Sequence, residues 1–458
     1  MKKYSRPLAL LLIACLLLPV FTACSQAPES AAPSTSTETA AKTETQKDTP
    51  KDTKEEQKVI NYWSFMNEGE PIQIWMQSFI DDYEKETGVK VNVVWAGREV
   101  LTKVKARLAS PVGEDFPDIT DQGSGVLMDI QNKEGIFYPV DEYLAQANSY
   151  VGADKWSDIY IPSALDVGKG ADGKIYGIPR ESYISAFFYN KKIFRDLGIE
   201  VPKTWDELMA AAEKIKAAGI APFSCDGNFD RNCAWWYTRL AEHTVGIDAL
   251  KQACEGKVQW ASDPGFLKAA QCLQEIVDKG YFQDNYQGSV WPASQLLWVQ
   301  SKTAMIPCGT WLVAEMSDST PPDFEMDIFS WPAVEGEKYP QSEEAWGNYW
   351  VMLKDAPHKD AAADFIKFAS QKKYDDAMTK IGSPSAQVNG EPIPQLANQG
   401  PILQSGTVVS DVMGGLSTYE QYFNNVYNKT ITEMMLGTLT AEQCIAKLDT
   451  ETAKFYAN

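Results

Sequence analysis

From Val59 to the C-terminus the chain alternates two hydrophobic periods. Val59-Ile60-Asn61-Tyr62-Trp63 is a short, mostly apolar run of the kind a buried strand needs. Ile72, Trp75, Met76, Phe79, Ile80 and Tyr83 then fall on one face of a helix, and Gly88 is placed to stop it in a left-handed cap. Val89, Val91 and Val93 alternate with polar residues, which predicts a second strand. Strand, helix and strand with short joins make a βαβ unit and predict parallel pairing.

The pattern recurs downstream. Pro117-Asp118-Ile119-Thr120 is strand-like, and Asp172-Gly173 marks a hairpin turn before Lys174-Ile175-Tyr176-Gly177-Ile178-Pro179. Thr204-Trp205-Asp206-Glu207 and Thr440-Ala441-Glu442-Gln443 are capping boxes, each opening a helix. No fixed-period repeat occurs, which excludes solenoids and propellers. The fold class is α/β.

Residues before 59 follow other rules. Lys2, Lys3 and Arg6 precede an apolar run, Leu8 to Phe21, too short to span a bilayer comfortably but right for a secretory signal. Phe21-Thr22-Ala23-Cys24 resembles the bacterial lipobox, with Phe21 where leucine is usual. That implies a signal peptide over residues 1–23 and lipidation of Cys24. Residues 25–58 hold no aromatic and no aliphatic larger than alanine, so they are expected to be a disordered tether of r.m.s. length about 30 Å. The expected location is the outer face of the cell membrane, reached through the N-terminal lipid.

Charge narrows the chemistry. Sixty-two acidic against forty-two basic side chains leave a formal charge of −20. Such a surface repels phosphate backbones and argues against a nucleic-acid partner. No P-loop, dinucleotide glycine fingerprint, His-Glu-x-x-His or Gly-x-Ser-x-Gly is present. Only His243 and His358 could serve as imidazole ligands or bases, and each is expected on a helix surface or end. No metal, cofactor or catalytic residue is expected. Among six cysteines after Cys24, Cys225 and Cys233 stand eight positions apart in a loop-like stretch and are the candidate disulfide, with free thiols the alternative. Cys308 and Cys444 read as buried thiols.

All fourteen tryptophans lie beyond residue 58. Trp75, Trp205 and Trp298 read as core. Trp63, the Trp235-Trp236 pair, Trp311, and Trp346 with Trp350 occupy loop-like or strand-end positions and read equally as core or as a ligand surface. A flat apolar ring beside hydrogen-bonding groups suits a pyranose, which offers a C–H face and a rim of hydroxyls.

Gly173-Lys174-Ile175-Tyr176-Gly177-Ile178-Pro179 continues to Tyr189-Asn190-Lys191-Lys192-Ile193-Phe194 and Pro202-Lys203-Thr204-Trp205-Asp206-Glu207-Leu208. This order resembles the central block of the extracellular solute-binding proteins, family 1, the maltose-binding-protein-like receptors of ABC sugar importers. Ala304-Met305-Ile306-Pro307-Cys308-Gly309-Thr310-Trp311 and the stretch from Ala362 to Phe368, with Gly382-Ser383-Pro384, extend the likeness over nearly all of 59–458. The resemblance implies a two-lobed type II binding-protein fold with the ligand cleft between lobes. Residues 59–181 plus 350–384 would form the N-terminal lobe, and 182–349 plus 385–458 the C-terminal lobe.

Carried onto this sequence, the family's ligand positions become Trp63 and Glu68 after the first strand, and Asp121 and Gln122 after the third. Arg180 and Glu181 stand at the first crossover, Asp226, Trp235 and Trp236 in the second lobe, then Trp311, Trp346 and Asn348. The implied protein is a monomeric, non-enzymatic lipoprotein. It captures a carbohydrate, expected to be an oligosaccharide, and delivers it to an ABC permease by lobe closure. An exported glycoside hydrolase or a polysaccharide-binding surface protein is the alternative reading.

Overall fold

A computed structural model describes residues 59–110, 112–340 and 342–457. The signal, lipobox and tether lie outside the described residues. In chain order the strands are β1 (Val59–Ser64), β2 (Lys90–Trp95), β3 (Ile119–Gly123), β4 (Gly177–Pro179), β5 (Tyr183–Asn190) and β6 (Ala221–Phe223). They continue with β7 (Thr303–Gly309), β8 (Met326–Phe329), β9 (Ser342–Trp346), β10 (Asn348–Met352) and β11 (Thr407–Ser410). Two sheets result. One has the order β2-β1-β3-β10-β4; the other runs β11-β9-β5-β7-β6, with β8 beside β5.

The first βαβ unit forms where the periodicity predicts it. β1 and β2 pair in parallel from Val59 opposite Lys90 to Ser64 opposite Trp95. The helix between them, Pro71–Thr87, buries Trp75, Met76, Phe79, Ile80 and Tyr83, each contributing roughly 1.5–3 kcal/mol relative to exposure. Gly88, at φ 74°, ends it by donating its N–H to the Glu84 carbonyl. Both capping boxes are reciprocal: the Glu207 amide donates to Thr204 Oγ1, and the Gln443 amide to Thr440 Oγ1, while each N3 side chain accepts from its N-cap amide.

The chain passes from the first sheet to the second between Pro179 and Tyr183, and returns between Trp346 and Asn348. Gly347 alone separates β9 from β10, and an ideal Cβ there would fall 1.9 Å from the Glu181 carbonyl oxygen, so the two crossovers touch through a glycine. A third segment joins them. Ser182 donates its amide to the Pro384 carbonyl, and Glu181 bridges Ser385. Each sheet carries its own core. The first packs Tyr62, Phe79, Trp350 and Phe365 on one face, with Phe116, Leu127 and Tyr349 in a second cluster. The second sheet packs Phe187, Trp236 and Trp331 in one cluster and Phe188, Trp298 and Ile328 in another.

Candidate ligand-binding cleft

A cleft of about 1120 Å³ opens where the crossovers meet. Its floor is Tyr183, Asn348 and Ser383, one from each crossing segment. Phe65, Met66, Glu70 and Arg98, from loops following β1 and β2, form one wall. Trp311, Val313, Glu315, Phe324 and Met326, following β7 and entering β8, form the other. Placing loops at strand ends between two sheets is the usual way α/β folds build a pocket.

The first wall rests on charge. Arg98 donates to the Phe65 carbonyl at 2.7 Å, pairs with Glu70 at 3.0 Å, and holds its guanidinium 4.6 Å from the Phe65 ring centre. Beneath them, the Phe65 amide donates to Asp121 Oδ1 at 3.0 Å. Asp121 Oδ2 accepts from Arg180 Nη1 at 2.7 Å, and Arg180 Nε donates to Glu181 Oε2 at 2.8 Å. The three side chains are at most 1% exposed. Burial pulls the Arg180 pKa down, but the Glu181 and Asp121 carboxylates outweigh it and hold the guanidinium above its ordinary value. Burial likewise pushes the Glu181 carboxyl up against the opposing pull of Arg180. Desolvating three charges is costly, so the cluster persists through mutual pairing.

The second wall is aromatic. Trp311 stands half-buried after β7, edge-on to Tyr183 with centroids 6.3 Å apart. The Tyr183 hydroxyl shares a 3.0 Å hydrogen bond with Ser383 Oγ, fixing one floor residue against another. Trp346 and Trp235 lie behind Trp311 and are buried.

Of the positions carried over from the sequence, Trp311 and Asn348 line the cleft. Asp121, Arg180 and Glu181 sit below it as the ion cluster. Trp63 packs half-buried against a core cluster of the first sheet, Glu68 is exposed to solvent, and neither lines the cleft. Gln122 turns its Oε1 back to accept from the Gly123 amide at 3.0 Å. Asp226 is fully buried and accepts from Ser289 Oγ, the Ser294 amide and Ser294 Oγ, so its carboxylate ties two loops together. Trp236 is core, set edge-on to Phe187 and Phe223.

Cys225 and Cys233 are free, buried thiols in this structure, as are Cys308 and Cys444. A hydrogen bond shared with Cys233, then burial, holds the Cys225 thiol well above its ordinary pKa. His243 is buried at its helix end, not on a surface, with Nδ1 3.1 Å from Glu337 Oε2. Neither histidine lines the cleft. Tyr183, Phe65, Glu70 and Arg98 were not singled out from sequence. Phe65 immediately follows a strand and Tyr183 immediately follows a crossover, so strand-end position is the signal in the sequence that points to them.

The family model for bacterial extracellular solute-binding proteins matches residues 68–376. The chain belongs to that family. A curated relative, the multiple sugar-binding protein of Streptococcus mutans, is 25% identical over 344 residues, covering 70% of this chain and 74% of its own length. An ABC transporter extracellular-binding protein of Pyrococcus horikoshii is 26% identical over 49% of this chain and 50% of its own. Among solved structures, the binding protein MsmE of Bacillus subtilis, in an open conformation, superposes with TM-score 0.70 at 20% identity, over 87% of this chain and 97% of that one. A Bacillus licheniformis sugar transporter in complex with stachyose gives TM-score 0.63 at 21% identity, over 86% and 98%. These likenesses fix the fold as the two-lobed type II binding-protein architecture of this solute-binding family.

Proposed function

We propose that this solute-binding protein captures a carbohydrate, an oligosaccharide in particular, and hands it to the membrane permease of an ABC importer. The observation that carries the reading is the cleft itself. One wall is a tryptophan and the other a paired arginine and glutamate, with a tyrosine and an asparagine between them. An indole face takes the C–H side of a sugar ring, and the polar groups take its hydroxyls. A volume of about 1120 Å³ exceeds what one pyranose needs. The sugar-binding name of the Streptococcus mutans relative and the stachyose held by the Bacillus licheniformis protein support the same class.

Capture works by closure. The proposed lobes are residues 59–181 plus 350–384 and residues 182–349 plus 385–458, a division supported by the passage of the chain between the two sheets after Pro179 and at Gly347. A ligand that touches both walls binds the closed form better and shifts the population by that difference. The protein acts without catalysis, as a monomer, tethered through a lipid on Cys24 to the outer face of the membrane. The test is a thermal-shift screen of the mature protein against mono- and oligosaccharides, with product analysis of any hit. Ligand at 100 times its Kd adds about 2.7 kcal/mol. A shift with intact sugar supports the reading, breakdown of the sugar replaces it with a hydrolase, and no shift from any sugar overturns the carbohydrate class.

A further inference from the structure

The Trp311 indole is held from behind by a chain of contacts. An ideal Cβ on Gly309 would fall 1.8 Å from its Cζ3, so only glycine leaves the ring its place. The ring lies nearly parallel to Trp235, at 9° with centroids 5.7 Å apart, an offset stack. Trp235, in the helix Asp230–Thr244, donates its indole N–H to Glu344 Oε2 at 2.7 Å. Glu344 Oε1 accepts from the Gly414 amide at 3.0 Å. Two residues along β9, on the same face, Trp346 sets its ring steeply against both indoles at 5.4 and 6.2 Å.

Glu344 is fully buried, where a carboxylate is expensive and an apolar side chain would pack at less cost. Its two oxygens answer two N–H donors from separate elements, and both donors require an acceptor. We infer that Glu344 and Trp235 are positioning residues for the ligand-facing Trp311. Glu344 sets the plane of Trp235, and Trp235 sets the plane of Trp311 on which a sugar ring stacks. β9 leads directly into the Gly347 crossover, so the same carboxylate ties the platform to the segment joining the two sheets. The inference rests on the carbohydrate reading of the cleft for its ligand, but not for its geometry.

The test uses the full-length protein labelled with 5-fluorotryptophan, the Trp311 resonance being assigned by its loss in Trp311→Phe. Without ligand, Glu344→Gln leaves one N–H donor facing an amide NH₂, and Trp235→Phe removes the donor while keeping a ring in place. Both variants are expected to move or broaden the Trp311 resonance. Each is also expected to weaken stachyose or raffinose binding about tenfold, the scale of one aromatic contact. Gly309→Ala, which leaves Glu344 and Trp235 untouched, should move the same resonance by displacing the ring directly. A lower unfolding midpoint with the Trp311 resonance unmoved in Glu344→Gln would make Glu344 a core acid only and overturn the inference. Should no sugar in the thermal-shift screen bind the wild type, the ligand reading fails by itself while the fluorine spectra still decide the positioning.

Discussion

The two walls of the cleft are built on different physics. Under the first, a buried arginine pairs with two carboxylates, and one of them, Asp121, accepts from the Phe65 backbone amide, so the wall stands on charge. Under the second, Trp311 leans on Trp235 and Trp346, and a single carboxylate serves as acceptor for an indole and an amide. Each support suits its position. The ion cluster lies where the chain crosses between the two sheets. The aromatic stack brings a flat ring to the cleft, on the side we propose for ligand. The contrast separates stability from recognition: damage to the first support is expected to unfold the protein, and damage to the second to blunt the site.

The largest expected effect follows from the first support. Asp121→Ala leaves Arg180 with one carboxylate and frees the Phe65 amide, and chemical denaturation should show a loss of about 3–5 kcal/mol. Next comes the second wall. Trp311→Ala should weaken ligand binding by about 2–3 kcal/mol in calorimetry while unfolding changes far less, because the ring is only half-buried. Equal losses of stability in the two variants would erase the distinction between the walls.

A smaller effect concerns pH. Burial raises the Asp375 carboxyl from 3.8 to about 6, so the folded chain binds a proton that the unfolded chain has already released. Stability from this group is therefore full at acid pH and lost as pH rises through about 6. Between pH 7 and pH 5 this group should add about 1 kcal/mol in thermal melts, and Asp375→Asn should lower the wild type's gain by that amount. The smallest effect is at the rim. Arg98 is 58% exposed, so Arg98→Ala should change stability by about 0.5 kcal/mol or less in the same melts. A larger loss would mean that the first wall depends on its exposed pair as well as on its buried one.

The sequence by itself determined the local elements. The apolar stripe from Trp75 to Tyr83, the Gly88 stop, the alternating valines of β2 and both capping boxes all answer to rules spanning a few residues, and all form as the pattern predicts. The family block from Gly173 to Leu208 brought the two-sheet plan with it. Of the positions carried over by resemblance, Trp311 and Asn348 line the cleft, where strands begin or end beside the crossing segments. Asp121, Arg180 and Glu181 look from sequence like polar groups ready for a hydroxyl. Tertiary structure turned them inward, because charges 59 residues apart in the chain meet only after β3 and the crossover come together. Glu344 and Trp235, 109 residues apart, carry no local signal of their partnership. Periodicity reports which face of an element is apolar, whereas pairing between distant side chains depends on the packing of whole elements, and only the folded chain decides it.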